Sequence, residues 1–527
     1  MRIGVDVGGT NTDAVLMDGS KILSSIKAST SSDVTSGIVE AISYLLNDAR
    51  VVAADIKNVM IGTTHFTNAL VERRHLSEVA IIRLASPSGH SVQPKIGWPE
   101  DLAEKIGDHI YLLPGGYEFD GREIAPFDSI AVRAAAKDIA KKGLTAAAIS
   151  CAHVSLNSDM EKQVAEILLE EIPNISLTLS SDIGRIGLLE RENSAIINAA
   201  CAGLARLVIR AFGKALHEMD IEAPFYISQN DGTLIPAHTA EKFPIFTFAS
   251  GPTNSIRGAA FLSGIEDGIV LDIGGTTCDI GVLQHGFPRE SSIDVDVGGV
   301  RTNFRMPDVL AVGLGGGTVI RSPTDQLSEL SSDLTGVSIG PDSVGYQLLQ
   351  KALVFGGNVL TSTDIAVAAD PSLNIGDASK VAHLSPEFIT SVKNKMHQIC
   401  SDALDHMKTS ADDVPVILVG GGNMLISEDL PGSSQTLRPK HASVANAVGA
   451  AIAQVSGEVD QLYSYAKQDR KEALADAKDK AVQAVIEAGG IKESIKIVEI
   501  EEIPMAYVPG EIVRIKVKAV AELRGSL

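Results

Sequence analysis

The sequence contains few cysteines, and their placement excludes two common kinds of stabilised site. Only four occur in 527 residues, and no two of them form a C-x-x-C pair. Disulfide frameworks and structural zinc sites both need numerous or closely spaced cysteines. We therefore predict buried thiols in a reducing compartment, without a metal-binding or nucleophilic role, at Cys151, Cys201, Cys278 and Cys400.

Positive charge is also scarce. The chain has 45 lysines and arginines against 66 aspartates and glutamates, which gives a formal net charge of −21. The basic residues between positions 467 and 480 alternate with acidic ones, as on a solvated helix face. Because there is no basic patch, we expect no nucleic acid partner and no anionic membrane partner.

No apolar run looks long enough to cross a bilayer, and no basic and apolar leader precedes the first strand, which begins at Arg2. We therefore expect no membrane span and a cytoplasmic protein. With 45% hydrophobic residues the chain can form large cores. Its length predicts roughly two to four domains.

The sequence does contain one distinctive turn, and it occurs twice. The copies read Asp6-Val7-Gly8-Gly9-Thr10-Asn11-Thr12-Asp13 and Asp272-Ile273-Gly274-Gly275-Thr276-Thr277-Cys278-Asp279. Each copy lies between two short apolar runs of β-type composition, which predicts a strand, a tight turn and a strand. A second turn follows each copy, at Asp18-Gly19 and at His285-Gly286, so that both regions are predicted to be antiparallel meanders.

The chemistry of this turn suits phosphate. Consecutive backbone N–H groups and threonine hydroxyls face the concave side of such a turn, and the glycines allow a ligand to approach the backbone closely. Asp6 and Asp272 are hard oxygen ligands at the position expected for a phosphate-bound Mg²⁺. One copy is equally consistent with an ordinary hairpin, but its recurrence favours a ligand site.

Two other glycine clusters extend the candidate site. Gly315, Gly316 and Gly317 form a turn with too little side chain to be explained by packing. The apolar strand 414–419 ends in Gly420, Gly421 and Gly422, where an adenine and ribose could lie against bare backbone.

The candidates for orienting or deprotonating a substrate are Asp272, Asp279 and, more weakly, Asp13, although each could instead hydrogen-bond its own turn.

The order of these motifs resembles the hydantoinase A/5-oxoprolinase family over nearly the whole chain. The motifs that carry the resemblance are Asp6-Val7-Gly8-Gly9-Thr10, Gly62-Thr63-Thr64, residues 67–73, Ser250-Gly251-Pro252, Asp272-Ile273-Gly274-Gly275-Thr276-Thr277, Gly315-Gly316-Gly317, Gly340-Pro341-Asp342-Ser343, residues 361–364 and Tyr507-Val508-Pro509-Gly510. The resemblance implies an α/β fold with two RNase H-like lobes of the actin, sugar kinase and Hsp70 type around a nucleotide cleft. A short C-terminal helix and β-hairpin would follow.

The resemblance also implies roles for the site residues. ATP would be held through its β- and γ-phosphates by Gly8, Gly9, Thr10, Asn11, Thr12, Gly274, Gly275, Thr276 and Thr277. Mg²⁺ would lie beside Asp6 and Asp272, and Gly420, Gly421 and Gly422 would form the adenosine turn. The sequence departs from the family pattern at Cys278, where a hydroxyl residue is usual, and at Thr253-Asn254-Ser255, where Ala-Gly-Gly is usual. These departures bear on the substrate more than on the nucleotide.

The function that this resemblance implies is ATP-dependent opening of a cyclic amide, such as a hydantoin, 5-oxoproline or another lactam. The alternatives are a ketone carboxylase-type subunit, a small-molecule kinase and an ATP-gated partner or activator of another enzyme. We expect a separate hydantoinase B-like or other partner subunit, with self-association also open.

The predicted domains are residues 1–185, 186–457 and 458–527. The boundary at 185 places the two copies of the turn in different domains. Residues 458–488 are predicted to form a charged helix, and the strand 511–520 is predicted to pack on its own lobe or, alternatively, to offer an edge for pairing.

Overall fold

The computed structural model of the chain describes residues 1–8, 11–29, 35–291, 294–321, 337–505 and 510–523. Over these residues the strands, β1 to β23 in chain order, are Arg2–Val7, Asn11–Asp18, Lys21–Ser29, Asn58–Thr63, Val79–Ser86, His109–Pro114, Ala146–Cys151, Ser176–Leu179, Phe225–Ser228, Leu234–Pro236, Gly268–Ile273, Cys278–Gln284, Phe287–Pro288, Val295–Val297, Val300–Thr302, Val309–Val312, Thr318–Arg321, Ser338–Ser343, Val414–Val419, Ser433–Leu437, Val455–Ser464, Lys496–Pro504 and Ile512–Ala521.

The α-helices of the same residues, α1 to α13, are Ser36–Ala49, His65–Val71, Glu100–Ile106, Ser129–Lys142, Asp159–Glu171, Leu188–Glu218, Ala237–Lys242, Ser250–Ser263, Leu348–Lys351, Ser362–Ala369, Pro386–Met407, Ala445–Ile452 and Arg470–Glu487.

The chain folds into two compact units, each built from separated segments. Unit 1 consists of Met1–Gly62, Ser250–Glu290 and Pro307–Ala453, and unit 2 consists of Thr63–Ala249, Ser291–Met306 and Gln454–Leu527. Both copies of the repeated turn belong to unit 1. The two ends of the predicted middle domain, 186 and 457, both fall within segments of unit 2, and the division into 1–185, 186–457 and 458–527 stays a prediction.

Unit 1 contains the two predicted meanders. In the first, β1 pairs antiparallel with β2 and β2 with β3, in the order β4-β1-β2-β3. In the second, β12 pairs antiparallel with β11, β13 and β16, and β11 pairs parallel with β19. All residues of β1 and β4 are buried, as in strands that are covered on both faces. The prediction of two strand-turn-strand meanders is confirmed.

Helix α11 shows how the second meander gains its core. Its apolar residues recur every fourth position, at Phe388, Val392, Met396 and Cys400, and all four are fully buried with β11 and β12. This spacing places them on one face of the helix. Burial of each of the first three side chains stabilises the fold by about 1.5–3 kcal/mol. Packing of α11 therefore stabilises the sheet that carries the second copy of the repeated turn.

Helices α8 and α12 pack so closely that their backbones touch. A Cβ atom on Gly258 would lie 1.8 Å from the carbonyl oxygen of Ala445, and one on Gly449 would lie 1.8 Å from the carbonyl oxygen of Asn254. Only glycine fits at such an approach. Because α12 also packs against β1, this contact brings Asn254 and Asn446 to the end of the first strand.

Unit 2 contains a parallel sheet in the order β6-β5-β7-β8, which α4, α5 and α6 cover. The sequence predicted that no apolar run is long enough to span a bilayer. By length and by apolar composition that prediction was wrong, because among the described residues α6 is long and apolar enough to do so. Within the structure, 67% of its most apolar stretch is buried against other parts of the protein. Core helices meet the same two criteria.

The C-terminal part of unit 2 differs from the sequence prediction in one element. Residues 458–488 were predicted as one helix, but β21 continues to Ser464 and α13 begins at Arg470. Alternate residues from Val455 to Val459 are buried, which is the pattern of a strand. The predicted hairpin, β22 with β23, is present. Strand β23 also pairs with β21, so it is not an edge of the described sheet.

Candidate functional site

In their described residues, the two copies of the repeated turn share the same strand register and a matching backbone hydrogen bond. In the first, Asp6 lies opposite Asp13 and the N–H of Gly8 donates to the carbonyl oxygen of Asn11 at 3.0 Å. In the second, Asp272 lies opposite Asp279 and the N–H of Gly274 donates to the carbonyl oxygen of Thr277 at 2.8 Å. Each turn is therefore closed by one backbone hydrogen bond and flanked by a cross-strand pair of aspartates.

Both turns border one cavity of about 390 Å³ inside unit 1. This volume is in the range of small-molecule sites. Of the predicted phosphate-binding residues, the structure brings together Gly8, Asn11, Gly274, Gly275 and Thr276 in the cavity wall. Thr12 is buried and Thr277 is exposed outside the wall, and Gly9 and Thr10 lie outside the described residues.

Asp6 is buried at the end of β1, where two amide side chains hold it. Asn254 donates to its Oδ1 at 3.1 Å and Asn446 donates to its Oδ2 at 3.0 Å. Burial raises the pKa of Asp6 to about 6, and the charges of Asp13 and Asp272 act in the same direction. Asp6 does not line the cavity, whereas Asn446, one of the two amides that hold it, does.

Asp13 lines the cavity and is paired with a lysine. Lys27 on β3 lies directly across the sheet from it, and its Nζ is 2.8 Å from Oδ1 and 2.7 Å from Oδ2. Asn446 also donates to Oδ2 of Asp13 at 2.8 Å, so this single amide bridges Asp6 and Asp13. The bridge fixes the carboxylates of the first turn relative to each other.

Asp272 is the carboxylate of the second turn that lines the cavity. The hydroxyl of Ser255 on α8 donates to its Oδ2 at 2.5 Å. Burial raises the pKa of Asp272 above its usual range. Burial also raises the pKa of Asp279 to about 7, with the charge of Asp272 adding to the effect. Asp279 is partly buried and does not belong to the cavity wall.

The three glycines at 315–317 mainly support the second turn. The N–H of Gly316 donates to the carbonyl oxygen of Gly274 at 3.0 Å, and the N–H of Gly317 donates to that of Gly275 at 2.7 Å. A Cβ atom on Gly315 would lie 2.6 Å from the backbone nitrogen of Thr276. Among these glycines only Gly316 lines the cavity. Gly315 and Gly317 pack against the turn, and their predicted contact with the nucleotide stays a prediction.

Gly420, Gly421 and Gly422 follow β19 and all line the cavity. The N–H of Gly422 donates to the carbonyl oxygen of Ile273 at 2.7 Å, which ties this turn to the end of β11. Farther along the wall are the apolar side chains of Tyr346, Leu348, Leu349 and Met424. A bare backbone turn beside apolar side chains is a surface on which a flat base can lie.

Four contributing residues were not predicted as site residues, namely Lys27, Ser255, Asn254 and Asn446, although Asn254 and Ser255 stood out as departures from the family pattern. Lys27 had a usable signal, since the predicted meander places it on β3 opposite Asp13 and opposite charges often pair across strands. The two asparagines and Ser255 lie on α8 and α12 and reach the site through the packing of these helices on each other and on β1 and β11.

The donor groups suit Mg²⁺, which favours carboxylate oxygens, keeps several waters and usually takes only one or two protein carboxylates. Within the described residues no three acidic, histidine or cysteine side chains converge as a complete metal site. The Oδ1 atom of Asn254, beside Asp6, is buried without a hydrogen-bond donor, and a water of a hydrated cation would satisfy it. The assignment of Asp6 and Asp272 to the metal stays a prediction.

The raised pKa values predict a pH effect on stability in solution without nucleotide or Mg²⁺. The folded protein holds the protons of Asp6 and Asp279 up to about pH 6 and 7, against an ordinary value of 3.8. The unfolded chain releases these protons at a lower pH than the folded protein does. The free energy of unfolding should therefore fall as the pH rises from about 4 to about 7. Each unit of pKa difference corresponds to about 1.4 kcal/mol.

Urea unfolding at several pH values checks this effect. Asp279→Asn should flatten the fall in stability between about pH 4 and 7, because the variant lacks one of the two groups. Asp267→Asn, which removes an exposed carboxylate, should retain the wild-type slope. An Asp279→Asn protein with an unchanged slope would contradict the burial of that charge.

Comparison with known proteins covers most of the chain. A model of the hydantoinase/oxoprolinase N-terminal region matches residues 2–172, and a hydantoinase/oxoprolinase model matches residues 191–371. Caprolactamase subunit alpha of Pseudomonas jessenii is 25% identical over 366 residues, which are 65% of this chain and 52% of the relative. Acetone carboxylase beta subunit of Xanthobacter autotrophicus is 24% identical over 376 residues, 66% of this chain and 51% of the relative.

The chain spans about half the length of these curated relatives. Among solved structures, the ATP-dependent caprolactamase from Pseudomonas jessenii superimposes with a TM-score of 0.77 at 18% identity, covering 99% of this chain and 88% of that one. At this identity the likeness shows the fold. It is an α/β fold of the actin-like ATPase type, as predicted.

Proposed function

The chain belongs to the hydantoinase/oxoprolinase family, and from that premise we propose that it activates a cyclic amide by ATP-dependent phosphoryl transfer before ring opening. The observation that carries the proposal is that the two copies of the repeated turn, each flanked by aspartates, border one cavity that also contains a lysine. Relatives that include an ATP-dependent caprolactamase and an acetone carboxylase support ATP-dependent chemistry on lactams or ketones.

The chemistry explains why ATP is needed. Resonance makes an amide carbonyl carbon a poor electrophile. In the proposed reaction the carbonyl oxygen attacks the γ-phosphorus, the bond from that phosphorus to the β-phosphate oxygen breaks, and ADP leaves. One water then adds to the carbon of the phosphorylated amide, and the ring C–N bond breaks with proton transfer to nitrogen, which leaves an acyl phosphate. A second water attacks the acyl carbon, the C–O bond to phosphate breaks, and the carboxylate and phosphate are released. ATP thus supplies the phosphoryl group that turns the carbonyl oxygen of the amide into part of a leaving group.

The residues of this chain would position and neutralise charge rather than form covalent intermediates. The N–H groups of the two turns would bind phosphate oxygens, and the cavity carboxylates Asp13 and Asp272 would flank the phosphates, with Asp272 beside a phosphate-bound Mg²⁺. Asn446 and Ser255 would keep these carboxylates in place through the hydrogen bonds they donate. Such preorganised groups are usually the largest contribution to phosphoryl transfer.

We also propose that a partner subunit completes the hydrolysis. The relatives are themselves named as subunits, alpha for the caprolactamase and beta for the acetone carboxylase. A phosphorylated amide is labile, and a shared interface would keep it from bulk water. The second candidate function is that of a ketone carboxylase subunit, which the acetone carboxylase relative favours.

Oxygen transfer tests the proposed reaction directly. Lactams and hydantoins labelled with ¹⁸O at the carbonyl are incubated with ATP, Mg²⁺ and the chain, alone and with the product of the adjacent gene. We expect one ¹⁸O atom in the released phosphate for each ring opened, and little complete ring opening by the chain alone. ATP cleavage that requires acetone and bicarbonate instead would favour the carboxylase, and unlabelled phosphate during ring opening would contradict phosphorylation of the carbonyl oxygen.

A further inference from the structure

Lys27 lies in the cavity wall, and none of the sequence motifs included it. It lies on β3, and its ammonium donates to both carboxylate oxygens of Asp13 and, at 3.3 Å, to the carbonyl oxygen of Ser443. About a third of its side chain is exposed, against 4% for Asp13. The ammonium is therefore fixed at one end of the cavity but remains accessible from it.

The cavity wall contains more negative than positive side chains, which matters for the binding of an anionic ligand. Among the described residues that line the cavity, Lys27 is the one with a positive charge, whereas Asp13 and Asp272 are acidic. A nucleoside triphosphate adds up to four negative charges to this space. A cation in direct contact with the phosphates is needed to offset part of that repulsion.

Lys27 also reaches towards the second half of the site. A Cβ atom built on Gly421 would lie 3.4 Å from Cε of Lys27, so the side chain of the lysine lies next to the glycine turn after β19. Its charge acts on Asp272, whose pKa it lowers against the effect of burial. The ammonium is therefore close enough to both repeated turns to serve a group held between them.

We propose that Lys27 shares its ammonium between Asp13 and the terminal phosphate of a bound nucleoside triphosphate, and that this contact makes the site prefer a triphosphate to a diphosphate. The assignment rests on the proposed nucleotide-dependent function. The three N–H donors of the ammonium suit it, because one can turn to phosphate while another stays on the carboxylate. Asp13 then positions the lysine, and Asn446 continues to hold Asp13 by its own hydrogen bond.

Calorimetry with two ligands tests the assignment. The dissociation constants of a non-hydrolysable ATP analogue and of ADP are measured in Mg²⁺ for the wild type, Lys27→Met, Lys27→Arg and the matched control Lys21→Met, which removes an exposed lysine from the same strand. We expect Lys27→Met to weaken the ATP analogue about 100-fold and ADP less than about fivefold. Lys27→Arg should recover part of the triphosphate preference, and Lys21→Met should behave as the wild type.

A second variant separates the contact from folding. Lys27→Met leaves the Asp13 carboxylate without its cation, which could destabilise the protein. The double variant Lys27→Met with Asp13→Asn removes both partners. It should show the same loss of triphosphate preference, with a melting temperature near that of the wild type. Equal weakening of both nucleotides, or no weakening, would overturn the assignment and leave the proposed function standing. A wild-type protein that binds neither nucleotide would overturn both.

Discussion

Replacing Asp272 with asparagine is expected to lower the rate of phosphoryl transfer by about 100- to 1,000-fold while the protein stays folded. Asp272 is the carboxylate of the second turn that faces the cavity, and Ser255 holds it in position. Asparagine has almost the same shape and can still accept the hydrogen bond from Ser255. The change therefore removes the negative charge and little else. Because partial burial raises the pKa of this carboxyl, which disfavours the charged form, loss of the charge should not reduce stability.

Steady-state release of ADP, with and without a lactam, measures this effect. The matched control is Asp18→Asn, which removes an exposed aspartate at the far end of β2 and should leave the rate within about twofold of the wild type. Near-ultraviolet circular dichroism and the melting temperature report the fold of both variants. An Asp272→Asn protein with wild-type turnover would show that the second turn does not serve the reacting phosphate.

Replacing Gly420 with alanine is expected to abolish nucleotide binding and to destabilise unit 1. The residue has a φ of +84°, a conformation that costs a side chain about 1–2 kcal/mol. Its Cβ would also lie 2.3 Å from Oδ1 of Asp272 and 2.4 Å from the carbonyl oxygen of Ile273. Relief of such an overlap typically costs a further 1–3 kcal/mol or so, and the group that must move is the proposed phosphate-side carboxylate.

Gly356→Ala separates the two causes. Gly356 has a similar φ of +89°, but no atom lies within 4 Å of the position of its Cβ. That variant should lose about 1 kcal/mol of stability and bind the ATP analogue as the wild type does. Urea unfolding and calorimetry give both quantities. If Gly420→Ala and Gly356→Ala have equal effects on binding, the close contact with Asp272 is not what shapes the site.

The parts of the fold that the sequence predicted correctly are local ones. The two hairpins could be predicted because each depends on apolar runs of a few residues and on a glycine turn between them. The error at β21 shows the limit of this reasoning. The charges of 458–464 suggested a helix face, but the strand is held by β23, whose residues lie more than 45 positions later in the chain, and this pairing has no local signal.

The site shows the same division between local and distant information. The positions of Asp6, Asp13, Asp272 and Asp279 in their turns followed from the local motif. Which of these carboxylates face the cavity did not, because this depends on α8 and α12, which come together through two glycine contacts. For the same reason the turn at 315–317 was assigned to the nucleotide, although its backbone mostly supports the second turn.

The central claim is that the phosphates of ATP lie between the two repeated turns, and a crystal structure with Mg²⁺ and a non-hydrolysable ATP analogue tests it most directly. We predict phosphate density within hydrogen-bonding distance of both repeated turns, with the base against Gly421 and Gly422. Nucleotide density anywhere else in the protein, with these two turns unchanged and out of contact with it, would contradict the account.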